Sequence, residues 1–128
     1  MRFVILLALC AGPALAESPM TAEEFDAWSK DQTLDYWIEG EYWGSEMHFA
    51  DRRTLDADPE GPCIEGRWYP AGDAICFTYD QSPGPHCWRF WRRDGTVFAE
   101  LVGAPDQPMS TVTLADEPLA CPGPDVGV

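Results

Sequence analysis

The sequence predicts a mainly β domain, a small antiparallel up-and-down barrel of about eight strands preceded by a short helix. From Thr33 onward, short segments rich in aromatic and β-branched residues alternate with Gly, Pro and Asp at intervals of roughly 8 to 12 residues, the rhythm of strands and tight turns. Glu39-Gly40, Gly72-Asp73 and Asp94-Gly95 are each flanked by strand-like runs, as two-residue hairpin turns require. A meander of this length leaves exposed edges unless it closes, and closure at about eight strands leaves an interior for side chains or one small ligand. A two-sheet β-sandwich is the alternative.

The elements follow in chain order. Residues 1–16, "MRFVILLALCAGPALA", combine Arg2, an apolar run from Phe3 to Ala11 and a closing Ala14-Leu15-Ala16, which reads as a secretory signal peptide. The apolar run is well short of the ~20 residues that span a bilayer, so no membrane insertion is expected. Residues 17–128 are expected to form one secreted β-domain. A helix is expected over about 21–31, because Thr21 and Glu24 stand in the reciprocal capping arrangement, and Phe25 and Trp28 give it an apolar stripe. Strands are expected near 33–38, 42–49, 53–56, 64–69, 74–79, 87–92, 96–102 and 110–114. The tail, 115–128, contains Pro122 and Pro124, which cannot donate ladder hydrogen bonds, and is expected to be irregular.

Charge and cysteine content narrow the setting. The 128 residues carry 22 acids against 8 basic residues, a balance that repels nucleic acid and anionic lipid alike. The acids are scattered rather than massed in a tail, and the six Trp residues argue against disorder. Once Cys10 leaves with the leader, Cys63, Cys76, Cys87 and Cys121 remain, an even set that reads as two disulfides in an exported domain, periplasmic or secreted. Four cysteines permit three pairings. The preferred one joins Cys76 to Cys87 across a short connection and Cys63 to Cys121, pinning the tail. A turn centred between Ala71 and Gly72 would set Cys76 opposite Arg67, which argues against a bond from Cys63 to Cys76.

Candidate chemistry is sparse. The cysteine gaps of 12, 10 and 33 residues fit neither a zinc pair nor a redox pair. "DADPEG", Asp56 to Gly61, matches the first half of a calcium loop, but Arg67 stands where the bidentate acid belongs, so a solvated turn is expected. No metal and no cofactor are expected. Glu46 and His48 share one face of a strand, the geometry of an acid–base pair, with Asp51 close by in sequence. The same alternation describes an outward polar face with Met47 and Phe49 turned inward, which is the expectation here. "CWRFWRR", residues 87–93, alternates Trp and Arg on both faces of a strand. Arg89, Trp91 and Arg93, with Arg67, are therefore candidate binding residues, since guanidinium beside indole suits a carboxylate, a phosphate or a protein partner. Ordinary cross-strand packing of Arg stems over Trp rings explains the same pattern.

The order "CIEGRWY", "GDAICFTYD" and "CWRFWRRDGTVF" resembles small exported proteins of Gram-negative bacteria to which no activity is assigned. The resemblance covers about Gly40 to Phe98 and rests on Cys63, Gly66, Trp68, Cys76, Phe77, Cys87 and the Asp94-Gly95 turn, all structural residue types. It implies a disulfide-stapled meander and carries over no catalytic residue. Periplasmic inhibitors of lysozyme and of secreted proteases are similar in size, export and disulfide use, and that likeness implies a basic enzyme as partner. The expected function is thus a non-enzymatic exported binding module of the cell envelope, for a protein or a small ligand. A small periplasmic enzyme using Glu46 and His48, and a structural envelope component, are the alternatives.

Overall fold

The computed structural model describes residues 17–121; residues 1–16, where a signal peptide is expected, and the last residues, 122–128, lie outside the described residues. One helix, α1 (Ala22–Ser29), precedes eight strands: β1 (Thr33–Ile38), β2 (Glu41–His48), β3 (Arg53–Ala57), β4 (Ile64–Ala71), β5 (Ala74–Tyr79), β6 (Ser82–Arg93), β7 (Thr96–Leu101) and β8 (Ser110–Leu114). Each strand pairs antiparallel with the next, and β8 returns to β1 through pairs such as Val112 with Tyr36, closing the barrel. Among the described residues no helix is long and apolar enough to cross a membrane.

Local chemistry sets the turns. Glu39 and Gly40 (φ 52° and 83°) and Asp94 and Gly95 (φ 49° and 79°) take positive φ at both central positions, the twist that suits a two-residue hairpin. At Gly72-Asp73 only the glycine does (φ 59°), and Ala71 pairs with Ala74 across it. That register puts Cys76 opposite Tyr69 rather than Arg67, so the expected centre of the turn is one residue too early. The conclusion drawn from it survives: the bonds are Cys63–Cys121 and Cys76–Cys87, the second joining direct cross-strand partners. Two disulfides in so small a domain fit an oxidising compartment.

α1 closes one end of the barrel. Thr21 and Glu24 form the reciprocal cap, and the helix ends at Ser29, two residues before the expected boundary, because Asp31 turns to φ 60°. Phe25 is wholly buried, its ring 4.5 Å from Phe90 and 5.2 Å from Trp68 by centroids. With Met20, Leu34, Ile75, Phe77, Val97, Ala99 and Val112 these residues make the apolar core. The core therefore fills the helix end of the barrel and part of its middle.

Two irregularities shape the opposite end. In β2 the partner of Tyr36 is Gly44 and that of Trp37 is Tyr42, so Trp43 is an extra residue, a β-bulge. In β6, Tyr79 pairs with Ser82 and Phe77 with His86, leaving Pro83-Gly84-Pro85 out of register. The sequence pattern starts this strand at Cys87; it starts at Ser82, since two prolines lacking N–H groups are tolerated where the ladder is already broken.

Candidate functional site

Glu46 and His48 point into the barrel, not outward: they are 2% and 1% exposed, and Met47 takes the outer face. Alternation says which residues share a face, but not which face is inside, and the apolar preference of Met47 is overridden here. His48 Nε2 lies 2.9 Å from Glu46 Oε1, and the Tyr79 hydroxyl donates to Glu46 Oε2 at 2.6 Å. His48 Nδ1, beside Phe25 of α1, has no hydrogen-bond partner, nor has the nearby Thr54 hydroxyl.

Gly66 makes room for this network. A Cβ at that position would lie 2.7 Å from the Tyr79 ring and from the Thr78 carbonyl oxygen. The Tyr79 ring thus occupies the space a side chain would fill on β4, and its hydroxyl reaches across to β2.

Asp56 ends the strand expected at 53–56, but the sequence pattern gives it no part in the site and counts it also as the first residue of a solvated turn. It sits directly opposite Glu46 in the β2–β3 register, half-buried, rather than in a solvated turn. Burial, followed by the negative charges of Glu46 and Asp58, pushes its carboxyl up to about 7. The phenols of Tyr36 and Tyr79 are raised by the same causes, burial first and then the charge of Glu46.

These side chains line a hollow of about 320 Å³ at the end of the barrel opposite α1. Tyr36 and Ile38 of β1, Trp43 on the β2 bulge, Tyr79 of β5, and His86 and Trp88 of β6 supply most of its wall, with Glu46, Asp56 and Asp58 on one side. No Lys or Arg is among its lining residues. Trp68, Phe77 and Phe90 fill the barrel below, whereas Trp88 is only half-buried at the wall. Two hollows of similar size lie on the outer wall, one beside Ala115–Pro118 and one between β3 and β4, and neither gathers aromatic faces around buried acids.

The other predicted residues stay on the outside. Arg89 donates to Asp73 at 2.9 Å, Trp91 to Glu100 at 3.1 Å and Arg93 to Glu17 at 2.6 Å. The guanidinium of Arg93 also lies over Trp91 and Phe98. Arg67 is exposed on β4, apart from these three. Asp51 pairs with Arg53 at 2.8 Å on the surface, which holds its carboxyl low and keeps it out of the Glu46 network. Among the described residues no group of three or more His, Cys, Asp or Glu is placed to hold a metal ion. Comparison with protein-family models, curated proteins and solved structures finds no match.

Proposed function

We propose that the protein is an exported, periplasmic or secreted binding module that takes one small ligand through the open mouth of its barrel. The observation that carries this reading is the uneven filling of the interior, close-packed at the α1 end and hollow at the other. A cavity of about 320 Å³ with aromatic walls and a few polar groups stands at the small end of the ~300–1,000 Å³ range of ligand sites. Its polar groups are fixed before a ligand arrives, because Glu46 is held by His48 and Tyr79.

The test is native mass spectrometry and thermal melting of the purified protein against pooled small-molecule fractions, alongside Ser110→Phe, which places a ring in the hollow. A ligand retained by the parent protein and lost from the variant supports the reading; no retained mass and no shift in melting temperature with any fraction sinks it.

A second reading has one observation in its favour. Asp56, pushed up to about 7, stands beside Glu46 on one wall of the hollow, and a carboxyl near neutral pH suits general acid–base work. If a ligand found in the first experiment is recovered chemically changed by the parent protein and unchanged by Asp56→Asn, the barrel is an enzyme. Recovery unchanged from both leaves it a carrier.

A further inference from the structure

The open end of the barrel is ringed by acids with no basic residue among them. Four connections surround the mouth: Glu39-Gly40, residues 58–63, Asp80-Gln81 and residues 102–109. They carry Glu39, Asp58, Glu60, Asp80 and Asp106, and not one Lys or Arg. Lys30, Arg52, Arg53, Arg92 and Arg93 all belong to the α1 end, and Arg67 and Arg89 lie on the wall between. A mouth ringed by one sign of charge, above a low-dielectric hollow, concentrates ions of the opposite sign.

Inside, the same preference is built in short-range form. Glu46 and Asp56 are direct partners across β2 and β3, and Tyr36, Trp43, Tyr79 and Trp88 line the hollow around them. Aromatic faces attract cations through the ring quadrupole, and carboxylates complete the match. The wall offers a carboxylate or phosphate group no Lys or Arg, only His86 and neutral donors such as Gln107 and Ser110 set beside Glu46, Asp56 and Asp58, so an anionic ligand finds no fixed positive charge to hold it. A bare metal ion finds no three-ligand set among the described residues, and hydrophobic rings are poor replacements for its water shell.

We infer that the ligand of the barrel mouth is a small organic cation, an alkylammonium or quaternary ammonium compound seated between the aromatic rings and the Glu46–Asp56 pair. This rests on the small-ligand reading above and names its chemical class. Trp43, on a bulge and 57% exposed, is the outer ring of the seat and the residue most free to move over an arriving ligand.

The experiment compares three probes of nearly equal shape at pH 8 by isothermal titration, with the fluorescence of Trp43 and Trp88 as second readout. Choline carries a full positive charge, 3,3-dimethyl-1-butanol is its neutral isostere, and glycine betaine adds a carboxylate. Choline is expected to bind at least tenfold tighter than either of the others. Trp43→Ala, an exposed change that leaves the fold alone, is expected to weaken choline at least fivefold, and Asp56→Asn at least tenfold. Equal binding of choline and its neutral isostere, stronger binding of betaine, or displacement of choline by millimolar Ca²⁺ in low salt overturns the cation assignment while leaving a small-ligand barrel standing. Binding of none of the three also overturns it, and the pooled-fraction experiment then decides whether the small-ligand reading falls as well.

Discussion

Replacing Asp56 by Asn isolates the cost of the acid pair. In the folded protein the Asp56 carboxyl is pushed from 3.8 up to about 7, chiefly by burial and then by Glu46 and Asp58. A difference of that size corresponds to ~4 kcal/mol for a fully desolvated group. Asp56 is only half-buried, and solvent screening reduces the figure to about 2 kcal/mol. The sign follows from proton uptake: between 3.8 and about 7 the folded state keeps a proton that the unfolded chain has released. Stability is therefore unpenalised below that window, falls as pH rises through it, and is lowest above it. Asn keeps the shape and cannot ionise, so Asp56→Asn at pH 8 should be more stable by about 2 kcal/mol, roughly 10 °C in melting temperature for a domain of this size. At pH 4 the two proteins should melt within about 0.5 kcal/mol of one another. Denaturant titration at both pH values measures this. An advantage of the same size at pH 4 and pH 8 would refute the reasoning, since it would come from packing and not from titration; no advantage at pH 8 would refute the placement of Asp56 beside Glu46.

Three further outcomes follow from other parts of the molecule. Loop-closure entropy makes the Cys63–Cys121 bond, with a sequence separation of 58, worth about 4 kcal/mol, and Cys76–Cys87, with a separation of 11, about 3 kcal/mol; paired Cys→Ser melts should fall in that order. Gly66→Ala should cost more than about 2 kcal/mol, as backbone and ring atoms 2.7 Å from the new Cβ must shift, and the tyrosine near-ultraviolet spectrum should change because Tyr79 is displaced. Choline affinity should rise as pH climbs through about 7 and then level, following deprotonation of Asp56; Glu46, Asp58, Tyr36, Tyr79 and His86 also face the hollow, so the profile is repeated in His86→Gln, where its survival assigns it to Asp56.

Much of the barrel was legible because its turns advertise themselves. Glu39-Gly40 and Asp94-Gly95 must reach positive φ twice in a row, a demand few dipeptides meet, and the strands on either side then follow by alternation. The site was legible only in pieces. Glu46 and His48 can be seen to share a face, but the inward direction is decided by cross-strand partners such as Leu34, which no local pattern supplies. Asp56 joins them through the β2–β3 register, set by an irregular connection in which Arg52 takes φ 64°, and such connections leave no two-residue signature. Trp43 reaches the mouth by way of a bulge, and Tyr79 reaches Glu46 across Gly66. The glycine was the one available signal, since a glycine inside a strand often marks a close approach by another group.

A barrel selected for stability alone would fill its interior. This one leaves about 320 Å³ open and sets two carboxyls against each other beside it, while an imidazole nitrogen and a threonine hydroxyl go unpartnered below. Each departure lowers stability, and the α1 plug and the two disulfides offset the loss at the opposite end and across the wall. Function and stability should then be separable by design. Ser110→Phe buries an aromatic ring in the hollow, worth roughly 1–2 kcal/mol of apolar transfer, and Asp56→Asn adds about 2 kcal/mol at pH 8. Both residues line the hollow, so the gains are expected to fall short of additive. The double variant should melt above the parent and bind no choline. A double variant that melts below the parent at pH 8 would mean that the hollow is already part of a well-packed interior, and that the carboxyl pair stabilises the barrel instead of taxing it.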